Sequence, residues 1–218
     1  MSTNLTHPKE QTKAAYDRMS RWYDLFAGFE AKPRNAGIEK LNPAAGEIIL
    51  EVGVGTGRSL LALAEAVGSS GMIYGLDLSP GMLAVSRSKL EKAALSGRVV
   101  LECEDAAQLS FDDNFFDGVF MSFTLELFDP AEIPIVLINC RRALRHGGRI
   151  CVVAMSAEDK PNMITRIYEW LHVRVPAYVD CRPIPVQEFL CNAGFRIVDV
   201  TDLSLFGISN AIVLAEKA

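Results

Sequence analysis

The stretch ILEVGVGTGRS, Ile49 to Ser59, decides the fold. Its first four residues read as a buried strand, and they run into a turn with glycine at positions 53, 55 and 57. A glycine-rich turn after a first strand is how an open α/β sheet presents a nucleotide-like ligand. The spacing of this turn argues against two ligand classes. A phosphate-cradling loop needs Lys and then Ser/Thr after its last glycine, to reach phosphate and magnesium. Here Gly57 is followed by Arg58 and Ser59, and the four-residue gap between glycines is absent. The dinucleotide fingerprint G-x-G-x-x-G is met at Gly53 and Gly55, but its third place holds Arg58. Glu51, just before the turn, would crowd a pyrophosphate and suits a ligand carrying positive charge. Asp77 lies about 20 residues downstream, at the end of the next strand, where a carboxylate accepts from ribose hydroxyls.

Outward from this turn, strands and helices alternate. Apolar runs predict strands at 48–52, 72–76, 98–102, 116–122 and 149–154. Helical periodicity predicts helices near 58–67, 80–94, 131–145, 162–173 and 186–193, with stops at Gly68, Gly97, Gly147 and Gly194. Alternation of this kind builds a doubly wound, mostly parallel sheet. After Gly194 the pattern changes to two consecutive strands, Phe195–Leu203 and Gly207–Ala215, a hairpin that places one strand antiparallel. Ahead of the sheet, residues 1–12 read as a loose tail. Residues 13–29 read as an amphipathic helix bearing Ala15, Met19, Trp22, Tyr23 and Phe26 at helical spacing. The expected division is therefore a tail and amphipathic helix over 1–30 and a single domain over 31–218.

Composition narrows the function classes. The 218 residues are 50% apolar and 22% charged, with net charge −5. A nucleic-acid binder needs a basic face to neutralise phosphates, and this chain offers no basic block. The apolar runs fall short of the roughly 18 residues that span a bilayer. The polar start MSTNLTHPKEQTK carries no secretory signal, and the five cysteines (Cys103, Cys140, Cys151, Cys181, Cys191) form no C-x-x-C pair. Reduced thiols in a cytoplasmic protein are the expectation. Three scattered histidines and no Cys/His cluster argue against a metal site.

An adenosine ribose next to a cationic, phosphate-free group describes S-adenosylmethionine. At this point the sequence resembles the class I S-adenosylmethionine-dependent methyltransferases. The resemblance rests on ILEVGVGTG (Ile49–Gly57), GLDLSPGML (Gly75–Leu83), CEDAAQLSFDDNFFDGVFMSFTLELF (Cys103–Phe128) and LRHGGRICVV (Leu144–Val153), in that order. It implies a Rossmann-like fold of seven strands with the last antiparallel. It implies that Glu51, Gly53 and Gly55 surround the methionine portion of the cofactor, with Thr56 and Gly57 closing the turn. Asp77 is similar to the ribose acceptor, and Leu78 and Met82 to the adenine neighbours. Asp105 resembles the carboxylate that receives the adenine amino group, with Ala106 giving a backbone contact. Ser122 and Phe123 resemble the segment facing the donor methyl. The family shows Pro where this chain has His146, far from the glycine turn.

The flanks speak to the methyl acceptor. The segment Ala14–Phe26 resembles the opening of UbiE-like methyltransferases and of bacterial phospholipid N-methyltransferases, where it implies a helical lid with Tyr16 and Tyr23 at the site. Tyr168–Phe195 resembles other UbiE-like proteins and is expected to form a substrate-side cap, over about 156–193. Candidates for a general base are His172 and Glu126, with Tyr16 and Tyr23 as orienting hydroxyls. An aromatic lid favours a lipophilic acceptor resembling a quinol precursor, with a phospholipid headgroup as the alternative. Trp22 and Phe26 with Arg18 and Arg21 also fit a helix resting on a membrane surface, but the local charge excess is small and simple packing is the favoured reading. A binding module that keeps the cofactor but does no chemistry stays open. A nucleic-acid substrate is disfavoured, because the chain reads SFTLELF where an Asn/Asp-Pro-Pro-aromatic motif would stand.

Overall fold

The computed structural model describes Asp17 and residues 30–156, 182–205 and 208–218. The helices expected over 13–29 and 162–173 fall outside these residues, except that Asp17 is helical. Strands β1 (Ile48–Val52), β2 (Met72–Leu76), β3 (Val99–Glu102), β4 (Phe116–Ser122), β5 (Leu144–Met155), β6 (Phe195–Leu205) and β7 (Ile208–Lys217) form one sheet. Their order is β3-β2-β1-β4-β5-β7-β6. The first five run parallel, and β7 lies antiparallel to both β5 and β6. This is the mostly parallel, doubly wound sheet the sequence predicts, with the terminal hairpin supplying the antiparallel strand.

Helices cover both faces. We number them α1 (Ala31–Leu41), α2 (Arg58–Ala66), α3 (Pro80–Lys92), α4 (Ile133–Ala143) and α5 (Val186–Asn192). Side chains alternate across each strand. Leu50 and Val52 of β1 join a core with α4 and α5. Ile49 joins the opposite core, with α1, α2 and α3. Glu51 has the parity of Ile49 and so points toward the α1 side. Phe116 is fully buried, and the ring of Tyr74 meets Phe115, Phe116 and Phe111 edge-on. Cys140 and Cys151 are buried, whereas Cys103 and Cys191 are exposed.

Four features depart from the sequence expectation. Helix α1 was not predicted, because AKPRNAGIEKL has only Ile38 and Leu41 as large apolar residues and shows little apolar periodicity. Gly37 explains this packing: a Cβ there would stand 2.4 Å from Val153 Cγ2, so the helix backbone rides directly on β5. Helix α4 ends at Ala143 and β5 begins at once at Leu144, so Gly147, left-handed at φ 72°, bends the start of a strand and does not stop a helix. The stop expected at Gly97 comes earlier: α3 ends at Lys92, with Ala94 left-handed at φ 56°. Last, Ile184, Val186 and Leu190, from the stretch expected to form a cap, are core residues.

Arg149 near the start of β5 ties these layers together. Its two terminal nitrogens donate to the two oxygens of Glu47 at 2.9 and 2.8 Å, and its Nε donates to the Leu41 carbonyl at 2.6 Å. Burial pushes the Glu47 carboxyl up, but hydrogen bonding and charge from Arg149 more than offset this, and it lies below its ordinary value. Arg149→Lys keeps the charge but loses the fork. It should destabilise the fold by roughly 2 kcal/mol in urea unfolding. The Glu47 contribution is present above the unfolded carboxylate value and is lost as pH falls through the lower folded one. The gap between Arg149→Lys and the parent should therefore narrow below about pH 4.

Candidate functional site

The strand order reverses between β1 and β4, and the crevice beyond their C-terminal ends is where a doubly wound sheet binds ligands. The glycine turn builds one wall. Gly53 N and Val54 N donate to the Leu76 carbonyl at 2.8 and 3.0 Å, which presses the turn against the end of β2. Gly53, Gly55 and Gly57 hold φ of 76°, 52° and 79°. Their surroundings differ. A Cβ on Gly53 would lie 2.3 Å from Thr124, and one on Gly57 would lie 2.8 Å from Ser86 Oγ, whereas one on Gly55 would meet nothing within 4 Å. Gly53 and Gly57 are thus needed for packing, and Gly55 leaves the cleft clear.

Asp77 fixes that arrangement. Its Oδ2 accepts from Gly55 N at 2.8 Å and its Oδ1 from Ser79 N at 2.8 Å. Ser86 Oγ donates to the Gly55 carbonyl at 2.8 Å, so Gly55 is held at both its N–H and its carbonyl. Burial raises the Asp77 carboxyl, with the two amide bonds opposing and Asp17 reinforcing. A carboxylate offers about four lone-pair directions, so two remain for ligand hydroxyls.

Glu51 is 1% exposed, and its Oε2 has no hydrogen-bond partner. Burial pushes its carboxyl up to about 8, against the Ser59 hydroxyl and the charge of Arg34, with Asp77 adding to the rise. A buried carboxyl with an unused oxygen is costly unless a donor or a cation meets it. The solvent-open cleft is lined by Glu30, Glu51, Asp77, Glu104, Asp129 and Glu132 against the two cations Arg34 and Arg58. Its field favours a cationic ligand.

Most of the expected cofactor residues meet here: Glu51, Gly53, Gly55, Thr56, Asp77, Leu78, Met82, Ala106, Ser122 and Phe123 all line the cleft. Phe123 holds φ 52°, rare for a bulky residue, and its N–H donates to the Val153 carbonyl at 2.8 Å. Two others sit differently. Gly57 is the N-cap of α2, and Asp105 accepts from Ala107 N at 2.9 Å to cap a short 3₁₀ turn, Ala106–Gln108. Glu104, its neighbour, lines the wall that Asp105 does not reach. Glu126 is 1% exposed, lies behind the wall and accepts from Met155 N at 3.3 Å; burial raises it to about 8. Tyr16, Tyr23 and His172 lie outside the described residues. Arg34 and Glu30 escaped the sequence reading because α1 did. Among the described residues no group of His, Cys, Asp and Glu could hold a metal ion, and no helix is long and apolar enough to cross a membrane.

Comparison with known proteins places this geometry. Residues 49–148 match a family described as a methyltransferase domain. The chain is 35% identical over 175 residues to the demethylmenaquinone methyltransferase of Clavibacter sepedonicus, covering 78% of this chain and 67% of that one. It is 30% identical over 157 residues to the same-named protein of Bacteroides fragilis, and the match spans 69% of this chain and 62% of the relative's length. A structure titled as a SAM-dependent methyltransferase from Aquifex aeolicus superposes with a TM-score of 0.65 at 20% identity, covering 85% of this chain and 89% of that one.

The glycines separate by substitution. Gly53→Ala combines a left-handed backbone with overlap against Thr124, and should cost roughly 2–4 kcal/mol in thermal or urea unfolding. Gly55→Ala carries only the backbone term, about 1 kcal/mol, and should fold while narrowing the cleft. Equal losses at the two positions would contradict the packing described.

Proposed function

Because the chain belongs to the class I S-adenosylmethionine-dependent methyltransferases, we propose that it transfers a methyl group to a small lipophilic acceptor of the quinol-precursor kind. S-adenosylmethionine is the cofactor, and when bound it supplies a methyl group already activated on a sulfonium sulfur. The observation that carries the reading is that Asp77, with acceptor capacity to spare, and Glu51, with a buried unused oxygen, line one cleft together with Gly55. Asp77 receives the ribose hydroxyls. Glu51 faces the ammonium of the methionine portion. Gly55 lets that portion approach the backbone. Leu78, Met82 and Ala106 give the adenine an apolar wall, and Ser122 and Phe123 flank the reacting end.

With the leaving group preactivated, the chain's task is alignment and exclusion of water, and positioning of this sort lowers a barrier by about 7–11 kcal/mol. A quinol-type acceptor must lose a proton from carbon or oxygen. His172, with Tyr16 as an orienting hydroxyl, is proposed for that step. Glu126, held behind the wall and largely protonated at neutral pH, is the reserve candidate. The lipophilic preference is supported by the relatives named demethylmenaquinone methyltransferase.

Incubation with methyl-labelled cofactor should put label into quinone-type precursors when lipid extract, such precursors and amine metabolites are offered together. Label confined to phospholipid headgroups or to water-soluble amines would overturn the acceptor. Tight binding of the demethylated cofactor without any label would identify a binding module.

Glu51 gives a second test, with a definite sign. With its carboxyl at about 8 in the free protein, Glu51 is mainly neutral at pH 7. An ammonium placed beside it favours the charged form, so ligand binding expels a proton. Calorimetry of S-adenosylhomocysteine at pH 7, in two buffers of different ionisation enthalpy, should report release approaching one proton. Affinity should rise from pH 6 to pH 7.5. Glu51→Gln should abolish both effects.

A further inference from the structure

The turn that opens α3 contributes Asp77, Leu78, Ser79 and Met82 to the cleft wall. Asp17, which lies more than 60 residues earlier in the chain, reaches the same turn. Asp17 Oδ1 accepts from Ser79 Oγ at 2.5 Å and from Gly81 N at 2.9 Å. Ser79 is therefore shared. Its N–H donates to Asp77, its hydroxyl donates to Asp17, and its oxygen accepts from Met82 N at 3.1 Å.

Gly81 supplies an independent observation. It sits in the first turn of α3, is not among the positive-φ glycines, and so has no conformational need to be glycine. Glycine in a helix is worth about 1 kcal/mol less than alanine. Its surroundings give the reason for it. A Cβ at Gly81 would stand 3.0 Å from Asp17 Oδ1 and 3.2 Å from both the Asp17 Cα and its carbonyl oxygen. The missing side chain lets the backbone at Asp17 lie directly on the helix.

We propose that Asp17 and Gly81 form a seat on the turn that opens α3, and that Asp17 is a positioning residue for cofactor binding, acting through Ser79 on Asp77. The proposal rests on the cofactor reading above. Asp17 engages the Ser79 hydroxyl and keeps it from turning to Asp77, where it would compete with the ligand's own hydroxyls. Asp17 also sets a second negative charge near Asp77, which raises that carboxyl. By reciprocity, a bound cofactor that fixes Asp77 and Ser79 tightens the hold on Asp17 by the same factor.

The test compares Gly81→Ala, Asp17→Ala and the double variant with the parent chain, by calorimetry of S-adenosylhomocysteine and by thermal unfolding with and without it. Gly81→Ala is the decisive variant, since helix propensity alone predicts an equal or higher melting temperature without ligand. It should nonetheless weaken binding at least fivefold and shrink the ligand-induced rise in melting temperature. Asp17→Ala should weaken binding about tenfold. The double variant should be no weaker than the worse single one, because either change empties the seat. Binding within twofold of the parent in both single variants would overturn the proposal. So would losses that add in the double variant, or a fall in melting temperature that is the same with and without ligand. Failure of the parent chain itself to bind would instead remove the cofactor reading, and the seat's role with it.

Discussion

Two backbone N–H groups from different turns converge on one half-buried carboxylate, Asp77, and the cleft is organised around that convergence. One comes from Gly55 in the turn after β1 and the other from Ser79 in the turn after β2. An unsatisfied amide or carboxylate in this setting costs more than a made hydrogen bond contributes, so the arrangement is set by what cannot be left unpaired. Asp77 thereby positions the glycine turn, the start of α3 and its own remaining lone pairs at once. The parallel pairing of β1 with β2 brings Glu51 opposite Gly75 and Val52 opposite Leu76, and so delivers both acids to the same end of the sheet.

Two raised carboxyls side by side make a site that is uncomfortable without a cation. Burial raises both; the charge of Asp77 further opposes ionisation of Glu51, and Asp17 opposes that of Asp77. A pyrophosphate would increase the mismatch, whereas an ammonium or sulfonium relieves it. Glu51 faces this site because of strand parity alone: its neighbours Leu50 and Val52 serve the core under α4 and α5, and it shares the opposite side with Ile49. Arg34 moderates the excess charge from α1, a helix that reaches β5 closely enough only because position 37 lacks a side chain.

Much of this was legible in the residues. The strand run, the glycine spacing and the acid at 77 carry local signals, since turn chemistry and apolar runs depend on neighbours in sequence. The terminal hairpin was legible for the same reason. Helix α1 was not, because Pro33, Gly37, Ile38 and Leu41 bury a face too poor in large apolar residues to give a period. Missing α1 meant missing Arg34. The adenine side shows another limit. Asp105 and Glu104 are adjacent acids, and only the backbone path decides that one caps a turn while the other reaches the wall. Glu126 reads as an acid beside the reacting end, yet the structure turns it behind the wall, onto the amide of Met155.

The strand order also governs how such a chain reaches its native state. β7 follows β6 in sequence but lies between β5 and β6. Until β7 arrives, β6 has no place in the sheet, and β5 presents an open row of backbone donors and acceptors along an apolar strand. That interval is the period of greatest exposure to aggregation, because an unpaired edge is a template for another chain. Synthesis of residues 195–205 alone does not end it. Closure requires the β5–β7 ladder, from Arg149 opposite Glu216 to Met155 opposite Asn210.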